Sequence, residues 1–222
     1  MGLNKQKGNM YPFVMHTWNP IRGKCPHDCV YCYMKVYPQP ELHFVEKEME
    51  TNLGQGNFIF VGSSTDIWAR AVPVLWISRV ISCCMMFENR YLFQSKNPAR
   101  FNSFIFPPNS ILGTTLETNR DYGVSNAPFV WERFGAMVDL EAKGIPSMVS
   151  IEPIMDFDLD ILVDWIKQIA PEFVSIGADS KNHHLPEPPA YKVKALIEAL
   201  QDITTVKIKD NLKRLLPNGE GE

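Results

Sequence analysis

Lys24-Cys25-Pro26-His27-Asp28-Cys29-Val30-Tyr31-Cys32-Tyr33 places three cysteines within eight residues. The spacing is Cys-x3-Cys-x2-Cys, with an aromatic just before the last cysteine. Three thiolates so spaced can hold three corners of a cubane iron–sulfur cluster. No fourth cysteine lies nearby, so one iron keeps an open position. An open iron does chemistry on a ligand, whereas a fully ligated cluster mostly moves electrons. The loop therefore points to an enzyme rather than a binding module. A zinc site or a simple electron carrier is the alternative. Structural zinc takes four ligands, and His27, inside the loop, sits too close in sequence to Cys25 and Cys29 for easy tetrahedral closure.

The surrounding chain has 222 residues, 45% of them hydrophobic, and carries a net charge of −3. That length suits one domain over 1–222, burying roughly 70% of the surface its unfolded chain exposes. The charge excludes a global basic field for gripping nucleic acid, though not a local patch. Apolar stretches fall short of the ~20 residues a membrane span needs. Residues 1–10 carry lysines without an apolar core behind them, so no secretory signal is expected there; this end and the tail 217–222 are expected to fray. Five cysteines, three of them clustered, argue for a reducing, cytoplasmic setting over a disulfide framework.

Outward from the loop, short apolar runs alternate with helical patterns. Strands are expected at 12–16, 58–62, 91–95, 111–116, 147–152, 173–177 and 205–208, several of them continuous apolar runs of the kind covered on both faces. Helices are expected at 41–52, 73–88, 128–143, 159–169 and 189–200, with Pro128 and Pro189 in first turns and Gly144 as a stop. The repeat predicts an α/β fold of about six parallel βα units, too few for a closed eight-stranded barrel, hence a partial, open TIM-like barrel. Chemistry in such folds lies at the C-terminal strand ends, where the cysteine loop, Ser63 to Asp66, Lys96, Glu117, Glu152 and Asp179 all fall.

The Cys-x3-Cys-x-aromatic-Cys pattern after a first strand resembles the radical S-adenosylmethionine superfamily. Trp18-Asn19-Pro20-Ile21-Arg22-Gly23, Ser63-Ser64-Thr65-Asp66-Ile67, Ser95-Lys96 and Ala142-Lys143-Gly144-Ile145-Pro146 are similar to its spore photoproduct lyase and DNA repair photolyase branch. Ser150-Ile151-Glu152-Pro153 and Ile176-Gly177-Ala178-Asp179-Ser180 also resemble a phage-associated three-cysteine family. The resemblance implies a [4Fe–4S] cluster on Cys25, Cys29 and Cys32, whose open iron chelates S-adenosylmethionine and whose electron releases a 5′-deoxyadenosyl radical. It further implies Tyr31 against the adenine, Lys96 on the methionine carboxylate, Ser63, Ser64 and Asp66 at the methionine end, Thr115 and Glu117 near the ribose hydroxyls, and Glu152 at ribose or substrate. A flavodoxin or ferredoxin is the implied electron donor. A nucleobase or nucleotide, free or within DNA, is the implied substrate.

One position departs from the branch. Where the photoproduct lyase has its hydrogen-donating cysteine, this chain has Ser63, and a serine O–H bond is too strong to replace a thiol. This argues against photoproduct repair itself unless Cys83 or Cys84 serves. Adjacent helical residues point about 100° apart, so at most one of these could face the site; buried core thiols are their plainer reading. His183 and His184 are the other suggestive pair, as acid or base near neutral pH, against a surface loop. Lys207, Lys209, Lys213 and Arg214 form a basic segment, read as a solvated face or as a phosphate contact.

Overall fold

In the computed structural model the chain is described over 2–6 and 10–216, so the tail 217–222 lies outside the described residues. Its contacts divide it into two compact units: Met1–Thr114 with Val124–Pro128, and Thr115–Gly123 with Phe129–Glu222.

The first unit is built on parallel strands β2 (His16–Trp18), β5 (Phe58–Val61), β6 (Arg90–Ser95) and β7 (Ser110–Thr115), in that order. Their registers are parallel throughout, for example Thr17↔Phe60, Phe60↔Leu92 and Leu92↔Ile111. Helix α1 (Val74–Cys84) makes the crossover between β5 and β6. At the edge, β1 (Asn4–Lys5) pairs antiparallel with β2, so part of the end expected to fray is tied into the sheet. Trp18, Ile59, Val61, Leu92 and Phe93 are buried side chains of these strands. Trp68, fully buried, packs among Phe93, Phe101, Phe104 and Phe106 with ring centroids 4.9 to 5.7 Å apart.

Two expectations in this unit are corrected. The first parallel strand is 16–18, not 12–16. The run before it turns back on itself, Val14 N–H to Tyr11 O at 3.0 Å, and is apolar because Tyr11 and Phe13 stack on each other and lie against Phe60 and Phe58. The segment 41–52 is not a helix. It forms β4 (His43–Phe44), which pairs antiparallel with β3 (Ile21–Arg22), followed by a 3-10 turn over Glu46–Glu50. The cause is Glu48, which is drawn inside at 1% exposure. Its carboxylate accepts bonds from Trp18 Nε1 (3.1 Å), Thr51 Oγ1 (3.0 Å) and Arg22 Nη2 (2.6 Å). A charge taken out of water must be so satisfied, and these three partners outweigh the local helical preference.

The second unit holds parallel strands β8 (Ser147–Ile151), β9 (Phe173–Ile176) and β10 (Thr205–Ile208), with Val149↔Val174 and Val174↔Val206 in register. Helices α2 (Val130–Glu141), α3 (Leu159–Ile169) and α4 (Ala190–Gln201) alternate with them. The expected span 159–169 and strand 205–208 match the observed elements. Helix α2 and α3 meet through the stacked rings of Phe134 and Trp165, 4.7 Å apart. Among the described residues no helix is long and apolar enough to cross a membrane.

Glu48 ties β2, β3 and the turn after β4 together, so Glu48→Ala is expected to destabilise the fold by about 3 kcal/mol or more, the scale for removing one partner of a buried charged cluster. Denaturant unfolding checks this, and a loss under about 1 kcal/mol would contradict it.

Candidate functional site

The cysteine loop is strung across the β3–β4 ribbon. It begins at Gly23, where φ is +106° and a Cβ would lie 2.3 Å from Glu41 O, so no larger residue fits. Lys24 N–H bonds to Pro40 O at 2.8 Å. Within the loop Asp28 N–H reaches Cys25 O (3.2 Å) and Cys32 N–H reaches Cys29 O (3.1 Å); Val30 and His27 exchange backbone bonds with Val124 and Asn126. All five cysteines are free of disulfides.

Burial pushes the Cys25 thiol up to about 11, and the charge of Asp66 adds to this, while the N–H groups of Asp66 and His27 donate toward its sulfur and pull the other way. Three free thiols on one short loop are a donor set that fits an iron–sulfur cluster. Among the described residues no three His, Cys, Asp or Glu side chains form a single-ion site. His27 Nε2 instead lies 2.9 Å from Asp66 Oδ2, which turns it toward that carboxylate rather than toward the thiols as a fourth ligand.

Asp66 gathers the rest of the site in this unit. Its carboxylate accepts from Ser95 Oγ (2.9 and 3.0 Å), Lys96 N–H (2.8 Å) and Trp68 N–H (2.9 Å). Burial opposes its ionisation, but His27 and the backbone donors outweigh burial and hold the carboxyl below the usual range. Ser63 Oγ, Ser64 Oγ and Ser64 N–H all bond to Asn19 Oδ1 at 2.9 to 3.2 Å. Thr65 Oγ1 bonds to Gly23 O at 2.8 Å, so the 63–66 loop is stitched to the start of the cysteine loop. The Lys96 ammonium bonds the Tyr31 hydroxyl. Cys25, Cys29, Cys32, Tyr31, Ser63, Ser64, Asp66 and Lys96 are thus brought together. Asn19 was missed as a site residue, though Trp-Asn-Pro was a quoted motif.

Cys83 and Cys84 are not with them. Both are buried at the C-terminal end of α1, and the Tyr91 hydroxyl, at the start of β6, bonds to Cys84 O at 2.9 Å. Lys96 follows the other end of β6. Four strand residues at about 3.3 Å each separate the two ends, so the structure places these buried thiols at the opposite end of β6 from Lys96.

The second unit carries its own polar constellations. Glu117 and Arg133 form a buried ion pair (2.9 Å), and Arg133 also bonds Thr115 O at 3.1 Å. A carboxylate 1% exposed and engaged by Arg133 supports the fold of this unit more directly than it offers acceptors to a ribose. Glu152 is held by Lys209 Nζ (2.7 Å) and Asn211 Nδ2 (3.0 Å), and a Cβ on Gly177 would stand 2.7 Å from its Cδ, so glycine is required there. The two histidines separate. His183 Nδ1 lies 2.6 Å from Asp179 Oδ1, whereas His184 is exposed. The basic segment is engaged as well, Lys209 by Glu152, Lys213 by Asp210 and Arg214 by Glu187, which favours the plainer reading over a phosphate contact. Arg120 bridges Asp156 and Asp158, and Lys192 bonds Asp156.

The chain matches no protein-family model and no curated protein. Solved structures do share its fold. A cysteine variant of spore photoproduct lyase superposes with a TM-score of 0.66 at 10% identity, covering 91% of this chain and 78% of that one. A second variant of the lyase, with bound AdoMet and dinucleoside spore photoproduct, gives 0.64 at 11% identity, covering 93% and 80%. Streptococcus suis SuiB bound to S-adenosylmethionine gives 0.55 at 9% identity, covering 86% of this chain and 49% of SuiB. The chain therefore shares the fold of spore photoproduct lyase and SuiB, an α/β arrangement of parallel βα units as expected. The likeness to spore photoproduct lyase runs over most of both chains.

Two outcomes follow for the second unit. Arg133→Ala strips the buried Glu117 of a charged partner and is expected to cost about 3–5 kcal/mol in denaturant unfolding; a loss below about 1 kcal/mol would be incompatible with this pairing. Side-chain hydrogen bonds from Arg120 and Asn119 lower the Asp158 carboxyl from 3.8 to about 2. A carboxyl depressed in the folded state adds stability that is complete above its unfolded value and lost as pH falls through its folded one. The wild type is thus expected to lose stability between about pH 4 and pH 2 more steeply than Asp158→Asn, in paired unfolding curves; equal slopes would contradict it.

Proposed function

We propose that this chain is a radical S-adenosylmethionine enzyme whose [4Fe–4S] cluster is held by Cys25, Cys29 and Cys32. One observation carries the reading: three free thiols on the loop that follows the first parallel strand, in a fold shared with spore photoproduct lyase and SuiB. When bound, the reduced cluster supplies the electron that cleaves S-adenosylmethionine to a 5′-deoxyadenosyl radical, which abstracts hydrogen from substrate. The residues around the loop bind and orient. Lys96 offers a compact positive charge to the methionine carboxylate on release from Tyr31. Tyr31 presents a ring to the adenine. Ser63 and Ser64, preset by Asn19, offer hydroxyls to the methionine end, and Thr115 offers a contact toward the ribose.

A nucleobase or nucleotide, free or in DNA, is the substrate class. Its support is the lyase structure with bound dinucleoside photoproduct. A base inside a duplex would have to be flipped out, and the net charge of −3 favours a nucleotide over tightly gripped DNA. Ser63 makes the reaction different from photoproduct repair by a donor cysteine at that position. His183, oriented by Asp179, is the acid–base candidate, and Glu152 the polar anchor, on the substrate side. The electron donor is a flavodoxin or ferredoxin, and the compartment is the reducing cytoplasm. A structural zinc site with His27 as fourth ligand is disfavoured by the approach of His27 to Asp66.

The test is anaerobic. Protein reconstituted with iron and sulfide, then given dithionite and S-adenosylmethionine, is expected to release 5′-deoxyadenosine, and the triple variant Cys25→Ala, Cys29→Ala, Cys32→Ala is expected to release none. Wild-type release no greater than that of the triple variant would sink the reading.

A further inference from the structure

We infer that Asp66 and His27 form a clamp that shapes the cysteine loop and tunes the cluster it holds, and that Asp66 is a positioning residue rather than a ligand of S-adenosylmethionine. The inference rests on the cluster reading above and assigns these two residues a task within it. The Asp66 side chain is 10% exposed and that of His27 5%. Burying a carboxylate costs several kcal/mol unless it is paired and hydrogen-bonded. Asp66 meets that requirement from three directions. Trp68 N–H comes from its own loop, Ser95 Oγ and Lys96 N–H come from the end of β6, and His27 Nε2, from between Cys25 and Cys29, stands at ion-pair distance, 2.9 Å from Oδ2, without hydrogen-bond alignment. With these donors in place both carboxylate oxygens are engaged, and the group is aimed into the protein rather than at a cofactor.

His27 lies between Cys25 and Cys29 in the loop, and its ring brings the Asp66 carboxylate to the loop that carries the thiols, Nε2 to Oδ2 2.9 Å. A carboxylate near a cluster lowers its potential. The clamp therefore couples loop shape to electron affinity. Asp66→Asn keeps the size and much of the hydrogen bonding but removes the negative charge. Asp66→Ala and His27→Ala remove the clamp, and His27→Gln keeps a donor toward Asp66.

Each reconstituted variant is assayed for iron and sulfide content, and its midpoint potential is read by electron paramagnetic resonance during a redox titration, with far-UV circular dichroism as the folding control. The wild type is expected to bind about four irons; failure of the wild type to do so would strike the cluster reading, not the clamp. Given a loaded wild type, Asp66→Asn and His27→Gln are expected to retain iron, with a more positive potential in Asp66→Asn, while folded Asp66→Ala and His27→Ala lose iron. Should Asp66→Ala not fold, the potential of Asp66→Asn decides. Wild-type iron in both alanine variants, or an unchanged potential in Asp66→Asn, would overturn the clamp. So would an S-adenosylmethionine affinity weakened about tenfold in Asp66→Asn at unchanged potential, since that outcome makes Asp66 a cofactor ligand.

Discussion

A carboxylate taken out of water has to find donors wherever the chain can bring them, and Asp66 finds them on three separate segments of the first unit. Ser95 and Lys96 stand at the end of β6, Trp68 lies two residues on, and His27 is in the cysteine loop. Other ties reach the loop at its ends and flank, from Lys24 to Pro40, Thr65 to Gly23, Tyr33 to Ser63 and Lys35 to Asp28. Its own backbone bonds close only two turns, and a pair of bonds links it to 124–126. The shape of a loop that carries three thiols is thus set in part from outside, with a charge that cannot be left unsatisfied among its ties.

The same device recurs. Glu48 gathers Trp18, Arg22 and Thr51 behind the ribbon that carries the loop. In the second unit Glu117 takes Arg133 and Glu152 takes Lys209 with Asn211. Buried ion pairs of this kind contribute little net stability compared with apolar replacements, but they are costly to break and they allow few alternative arrangements. Acidic side chains that follow strands therefore have two uses here. Some hold backbone segments in place and some hold other side chains; Asp179 does both, accepting from the Lys181 and His183 N–H groups and meeting the His183 ring.

Much of the architecture was legible. Continuous apolar runs such as Ser147–Ile151 and Phe173–Ile176 read as buried parallel strands because both their faces are covered. Helix Leu159–Ile169 read cleanly because its apolar positions keep a helical period. The two misreadings have one cause. In 41–52 and 12–16 the apolar pattern records side chains that pack from irregular backbone, Phe44 in a ribbon and Tyr11 and Phe13 in a stacked turn, and periodicity alone cannot tell such residues from regular elements. The position of Cys83 and Cys84 was illegible for a related reason: a helix pattern says that a thiol faces inward but not toward which end of the sheet.

The amino-acid sequence by itself determined the cysteine spacing, the alternation of strand and helix, and the absence of a thiol at position 63, because these depend on residue identity and on periods of a few residues. Only the tertiary structure decided which charged residues are spent on the fold. Glu117 and Asp66 look alike in the chain, each just past a strand end, yet one meets Arg133 and the other meets His27. The partner that satisfies a buried charge comes from 16 residues away for Glu117 and 39 for Asp66, and distances of that length along the chain are closed only by folding.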